Sequence, residues 1–422
     1  MEDATILSLD AARVLHDAKK LEPTITQDGV ARAFARHNRN VLRFDHSKKC
    51  WYRWTGTYWR QDRTNQAFED IRVTACELSE GADGKVLREL RRTSFVAGVE
   101  KFCRSDPEFA VTADVWDPFP FLIGTPGGTV ELTGGVLRPS DPIDMVSKVT
   151  AVTPADEPIC PTWLRFMSEA TRGNMDLVRF LQQWAGYCLT GNTDEQALMF
   201  GYGDGGNGKG VFLNTIAGIM GDYAVATQMD TLEVAFGDRH TADLAMLCGA
   251  RLVTASETEK GRAWAESRIK QLTGGDPVTA RFMHKNPFTF IPTFKLTIIG
   301  NDMPKLSSVN EAMRRRFNVV PFTHKPAQPD LDLNRKLRRE WPGILRWMLN
   351  GCLDWRKSRL VRPDVVLQAT RSTSSIKTCS GSGLNGTASS RKATCCVEPH
   401  LPSSTSRGPR LRERLIRSRG RR

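Results

Sequence analysis

No apolar run among the 422 residues approaches the length needed to cross a membrane. Met1-Glu2-Asp3-Ala4 lacks the basic-then-apolar layout of a secretory leader. A cytoplasmic chain with no membrane role is therefore expected. The ten cysteines are scattered; only Cys395 and Cys396 stand together, and no C-x-x-C pair occurs. That argues against a zinc site and against a disulfide framework. Excess basic charge is missing from most of the chain. The net charge is +13, yet residues 371–422 hold twelve Lys/Arg against Glu398 and Glu413, and everything before them carries only +3. Bulk charge thus makes no case for nucleic acid, and any such case rests on local sites. Residues 1–150 show no paired aspartates in a strand context, so no polymerase-type priming site is expected there.

What is present centres on residues 197–220. The apolar run Ala197-Leu198-Met199-Phe200 leads into Gly201-Tyr202-Gly203-Asp204-Gly205-Gly206-Asn207-Gly208-Lys209-Gly210, and Val211 to Met220 has apolar residues at helical spacing. Strand, glycine-rich loop and helix in that order build a phosphate cradle. Glycines turn backbone N–H groups inward, the lysine adds a point charge, and the helix N-terminus adds its dipole. The candidate nucleotide contacts are Gly203, Asp204, Gly205, Gly206, Asn207, Gly208, Lys209 and Gly210. Gly210 stands where such loops usually carry a magnesium-binding Ser or Thr. A glycine-rich turn with no ligand is the plain alternative.

Downstream, the β-rich run 249–256 ends at Glu257-Thr258-Glu259. A carboxylate at a strand end can hold magnesium or polarise an attacking water; Glu257 is the first candidate and Glu259 the reserve. A third apolar run, Phe294 to Ile299, ends in Gly300-Asn301, whose amide can bond a terminal phosphate or the water. Arg314-Arg315-Arg316 precede the apolar run at Phe317. They read either as a solvated basic turn or as cations for a neighbour's phosphates.

Residues 1–150 read as mixed α and β, with a helix over 66–80 and a hairpin about Thr55-Gly56. The hairpin's aromatics suit a small core and also suit base stacking; the core reading is preferred. Residues 160–190 read as two helices. From 197 to 322, strands alternate with helical stretches as in a parallel α/β sheet. Residues 330–370 read as helical, with Trp341-Pro342-Gly343 opening an amphipathic helix.

Loop, acid, amide and arginines in this order resemble the superfamily 3 helicases. The chain looks like the helicase part of phage and plasmid primase-helicase proteins, a group related to the poxvirus nucleoside triphosphatase. Further motifs carry the resemblance over about 35–370: Ile269-Lys270-Gln271-Leu272-Thr273-Gly274-Gly275-Asp276, Ala280-Arg281-Phe282, Thr125-Pro126-Gly127-Gly128 and Asn192-Thr193. The resemblance implies an α/β chain with four parts. An α+β domain of phage primase/helicase type covers 1–155. An AAA+-like P-loop ATPase core covers 160–323. A partial helical, winged-helix-like segment follows over 326–370; the remaining part, 371–422, reads from its composition alone as a disordered basic tail. It further implies ATP and magnesium, a hexameric ring on single-stranded DNA, and a separate primase as partner. Lys209 would hold the β/γ-phosphates, Glu257 would be the acidic residue and Asn301 the sensor. Arg315 or Arg316 would act in trans. A pore hairpin between Asp276 and Pro287 would carry His284 and Lys285 at its tip.

The tail fits that frame poorly. Codons permitted for 372–385, shifted by one frame, can spell an amphipathic helix, and an out-of-frame end is therefore preferred over a basic DNA-binding tail for 371–422. Two rival readings stand beside the helicase: a P-loop kinase or other ATPase without helicase activity, and a truncated remnant that at most binds DNA.

Overall fold

The computed structural model describes residues 25–79, 81–233, 242–256, 264–282, 286–302 and 311–375. The N-terminal part opens with helix α1 (Gln27–Asn38). The Thr26 hydroxyl caps it by accepting from Gly29 N at 3.0 Å, and Asp28 sits in the first turn, where the helix dipole favours an anion. Strands β1 (Leu42–Asp45), β2 (Cys50–Trp54) and β3 (Trp59–Gln61) form an antiparallel meander, and β4 (Ala110–Val111) adds parallel to β1. Helices α2 (Gln66–Leu78), α3 (Gly84–Leu90) and α4 (Thr93–Ser105) complete this part. The hairpin aromatics are core. Trp51, Tyr52 and Trp59 are buried, Tyr52 stacks on Trp116 at 4.2 Å, and the Trp51 indole donates to the buried Glu100 carboxylate at 3.0 Å. A second meander follows: β5 (Leu122–Thr125), β6 (Gly128–Glu131) and β7 (Val136–Arg138).

Helices α5 (Pro161–Ala170) and α6 (Met175–Cys188) precede the main sheet. Pro161 occupies the first turn of α5, where no N–H is needed, and the Glu340 carboxylate accepts from the free N–H groups of Thr162 and Trp163, each at 3.0 Å. The sheet contains β8 (Leu198–Tyr202), β9 (Ala224–Ala226), β10 (Leu252–Ser256), β13 (Lys295–Gly300) and β14 (Phe317–Pro321), all parallel, in the order β14-β8-β13-β10-β9. Strands covered on both faces read as continuous apolar runs. Met199 accordingly points into one core with Trp184 and Ile216, while Leu198 and Phe200 point into the other with Trp264 and Ile298. Between the strands lie α7 (Lys209–Met220), α8 (Ala242–Met246), α9 (Glu266–Gly274), the short hairpin β11 (Val278–Ala280) with β12 (Phe288–Phe290), and α10 (Glu311–Arg316). Helices α11 (Leu333–Ser358) and α12 (Asp364–Ser375) close the described chain. The sheet is therefore mixed α/β with a parallel core, as expected.

Two expectations need correction. Pro342 lies inside α11, not at its start. The proline removes one backbone donor, but the carbonyl it leaves belongs to exposed Arg338, where water can reach it. The Pro342 carbonyl meanwhile accepts from Ala155 N at 3.0 Å. Helix α12 continues through Ser375, so residues 371–375 are helical although the composition changes at 371. The Ser372 hydroxyl donates back to the Gln368 carbonyl at 3.0 Å within that helix. The rest of the tail, 376–422, lies outside the described residues.

Two constraints fix the core. Helices α6 and α11 cross with backbones in contact: a Cβ on Gly186 would overlap Cys352 N, and one on Gly351 would overlap the Gln182 carbonyl. At the amino ends of the strands, Lys295 and Arg251 are buried among backbone carbonyls. Lys295 donates to Thr190 and, at 3.2 Å each, to Asn192 and Thr293; Arg251 donates to Leu189 and Leu122, both at 2.6 Å. The carbonyls of Leu189 and Thr190 lie at the C-terminal end of α6, where the helix dipole favours a cation.

Gly351→Ala should cost about 2–3 kcal/mol through overpacking, read as a lower urea midpoint with unchanged slope. Burial, reinforced by the Arg251 charge, pushes the Lys295 ammonium down to about 7. Below that pH the amine is charged in both folded and unfolded chains. From pH 7 toward 10 the unfolded chain alone stays protonated there, so stability rises with pH. Lys295→Met should flatten that rise in urea titrations at pH 7 and pH 9.5; an identical slope would contradict the assignment.

Candidate active site

The chain leaves β8 for the far edge at β9, works back through β10 to β13, and reaches the other side of β8 only with β14. The strand order thus reverses at the carboxyl end of β8, the place where open parallel sheets bind ligands. The glycine-rich loop starts there. Gly203, Gly206 and Gly208 have φ of +143°, +80° and +89°. At these angles a side chain is strained, and the loop turns its amides inward at low cost only with glycine. Space adds a second reason. A Cβ on Gly203 would overlap the Phe322 carbonyl, and one on Gly208 would stand 2.8 Å from the Phe166 ring.

Asn207 is buried and locks the loop to the end of β14: its Nδ2 donates to the Phe322 carbonyl. Lys209 opens α7 and is 9% exposed. Its Nζ donates to the carbonyls of Gly203 at 2.6 Å and Asp204 at 3.2 Å, and to Asn301 Oδ1 at 2.9 Å. Burial pushes its pKa down, partly offset by Asp204. A half-desolvated cation surrounded by neutral oxygens favours an anion nearby. Gly205 and Gly210 have open space on the side where a Cβ would project. The loop therefore fits a phosphate chain.

The structure brings together the loop, Lys209 and Asn301. Asn301 follows β13, which pairs directly with β8 through Gly300 opposite Tyr202. Strand β10 ends at Ser256 at the same edge, since Ser256 pairs with Ile299. Glu257 and Glu259, expected just beyond, lie outside the described residues, as do His284 and Lys285. The hairpin that flanks the latter pair is described: β11 and β12 are antiparallel, and Phe282 stacks on Phe288 at 5.4 Å. Among the described residues no cluster of His, Cys, Asp and Glu could hold a metal.

Arg315 and Arg316 stand apart from the loop. They precede Phe317, which pairs with Leu198 at the amino end of β8. The arginines and the loop are thus separated by the five residues of β8, about 16 Å of strand. Arg316 Nη2 donates to Gln196 Oε1 at 3.0 Å.

Sequence reasoning missed two partners of the loop. One is the Phe322 carbonyl, which only the β14–β8 pairing places there. The other is Lys325, whose Cε would lie 3.4 Å from a Cβ on Gly206. A lysine shortly past a strand beside the loop strand was the available signal.

Residues 31–172 match the family model described as D5 N terminal like, and residues 201–316 match a family of unknown function (DUF5906). The second match opens at the end of β8 and closes on Arg316, so it holds the loop, Asn301 and the arginines. The chain is similar to "Putative helicase L207/L206" of Acanthamoeba polyphaga mimivirus, 25% identical over 315 residues, covering 68% of this chain and 32% of that protein. It is similar to "Putative helicase 022R" of Frog virus 3 (isolate Goorha), 27% identical over 230 residues, covering 49% of this chain and 23% of that protein. The chain thus spans a third or less of these relatives' length. Among solved structures, the A form apo structure of the NrS-1 C-terminal region aligns with a TM-score of 0.51 at 10% identity, covering 79% of this chain and 71% of that one. A second apo structure of that region gives 0.50 at 11%, covering 79% and 72%. At such identities the likeness is one of fold. No helix among the described residues is long and apolar enough to cross a membrane.

Strained Gly203 and Gly210, which has open space beside it, should behave oppositely. Gly203→Ala should weaken ATP binding at least tenfold in an equilibrium titration, with the far-ultraviolet dichroism unchanged. Gly210→Ser, which meets no atom within 4 Å, should fold normally and lower the magnesium concentration that supports half-maximal nucleotide binding. Equal affinities in both variants and the parent would contradict the loop assignment.

Proposed function

We propose that this chain, a phage- and virus-type primase-helicase-like protein, hydrolyses ATP between neighbouring copies in a ring. The ring uses that cycle to move along single-stranded DNA, as a superfamily 3 helicase with an AAA+-like P-loop core. One observation carries the reading: the phosphate loop with Lys209 and Asn301 lies at one end of the sheet, and the arginine pair lies at the other. Arginines a full strand away from their own loop suit a neighbour's nucleotide. A monomeric kinase needs arginines over its own loop.

In this reading the amides around Gly206 to Gly208 and the Lys209 ammonium bind the outer phosphates. Glu257 holds and polarises the attacking water, with Glu259 in reserve. Asn301, bonded to Lys209, registers which nucleotide is present. Arg315 or Arg316 of the adjacent copy neutralises charge that develops on the transferring phosphoryl group. Glu257 or Glu259 would hold magnesium together with the phosphates, and the ion would supply charge neutralisation there. His284 and Lys285, which fall between Phe282 and Phe288 in the sequence, contact the DNA backbone without reading sequence. The ring is a hexamer, and priming falls to a separate protein.

Lys209→Ala should abolish ATP hydrolysis, and Glu257→Gln should retain ATP binding but lose turnover. Single-stranded DNA should raise the parent rate several-fold. Mixed assemblies of Arg316→Ala with Lys209→Ala subunits should regain activity, because some interfaces then pair an intact loop with intact arginines. A Lys209→Ala chain that hydrolyses ATP at the parent rate would sink the site assignment. Mixed rings that stay inactive at every ratio would sink the shared site.

A further inference from the structure

The arginine pair sits at the start of an edge strand, and a strand edge is the least constrained place in a sheet. Here a side chain from outside the sheet holds its start. Arg362 lies in the connection between α11 and α12. Its Nε donates to Asn318 Oδ1 at 2.6 Å, and its Nη2 donates to the Arg315 carbonyl at 3.1 Å. Asn318 is fully buried, and its Nδ2 donates to the Leu198 carbonyl at 3.0 Å. The same side chain thus ties Arg315 to the edge strand and, through Asn318, to the loop strand. The planar guanidinium fork holds both donors in a fixed geometry, so the amide oxygen and the backbone carbonyl are fixed relative to each other. Packing of β14 does not depend on it. Helix α12 covers the strand separately, with Val319 N donating to Thr370 Oγ1 at 3.1 Å and Val366 and Ala369 buried.

We propose that Arg362 is a positioning residue for the arginine pair. It fixes the backbone from which Arg315 and Arg316 project, and so sets where their guanidinium groups meet the neighbouring copy's nucleotide. The proposal rests on the shared-site reading above. It assigns a role to the segment between the two C-terminal helices that neither the loop nor the arginines reveal. Because Arg362 is about a strand length from its own loop, its loss should leave nucleotide affinity alone and lower turnover.

The test uses full-length Arg362→Gln and Arg362→Lys. Arg362→Gln should lower kcat at least tenfold with KM for ATP within twofold of the parent. Arg362→Lys, which keeps the charge and one of the two bonds, should recover part of kcat. Mixed with Lys209→Ala subunits, Arg362→Gln subunits should regain activity, since their own loops are intact. Mixed with Arg316→Ala subunits they should not, since every interface then has a defective donor. Parent-like kcat in Arg362→Gln, or a change confined to KM, would overturn the positioning role. So would an Arg362→Lys that matches Arg362→Gln in kcat while melting like the parent. If Arg316→Ala with Lys209→Ala regains activity but Arg362→Gln with Lys209→Ala does not, the shared site stands and the role of Arg362 falls. If neither mixture regains activity in confirmed mixed rings, the shared-site reading itself has failed.

Discussion

A lysine ammonium bonded only to neutral oxygens sets the geometry on which the rest of the site depends. Lys209 Nζ touches two loop carbonyls and the Asn301 side chain, and among the described residues no carboxylate pairs with it. A buried cation compensated by dipoles alone keeps its charge available to an anion. That arrangement needs β13 beside β8, because Asn301 can meet Lys209 only if their strands are neighbours. The sheet order supplies this, and the glycine-lined turn supplies the loop carbonyls. Phe322, at the end of the opposite neighbour β14, holds the loop through Asn207. Both neighbours of β8 therefore shape the cradle.

The two ends of the sheet divide the work. The carboxyl ends carry the loop and Asn301. The amino ends are closed by Lys295 and Arg251, buried basic side chains that donate to the carbonyls ending α6 and to carbonyls of the 119–122 segment. These groups fix α6 against the sheet and tie the N-terminal part to the core. The arginine pair also lies at this amino end, about a strand's length from its own loop, and that separation supports the proposal that it serves a loop in another copy.

Much of this was legible in the sequence. The runs at 197–202, 249–256 and 294–300 are apolar because both sheet faces are covered, and each is a strand. The hairpin about Thr55-Gly56 followed from its turn, and Trp51 and Trp59 of the hairpin can be core because their indoles find acceptors in the Glu100 carboxylate and the Pro142 carbonyl. Strand order was not legible, since it depends on which helices fill the two faces. Nor were the buried roles of Lys295 and Arg251. Lysine and arginine are usually exposed, and their partners are backbone carbonyls far away in sequence. Pro342 read as a helix start because a proline ordinarily interrupts a helix; the carbonyl it leaves without a donor belongs to exposed Arg338, and so the helix passes through it. Arg362 carried no signal, because its contacts lie 44 and 47 residues away.

The central claim is that nucleotide turnover belongs to an interface between copies. The most direct measurement is the ATPase rate per chain across a wide range of protein concentrations, with the size of the particle followed by sedimentation in the same samples. A shared site predicts that the rate per chain rises with concentration in step with assembly and levels off when assembly is complete. A rate per chain that is constant down to concentrations where the protein sediments as a monomer would contradict it.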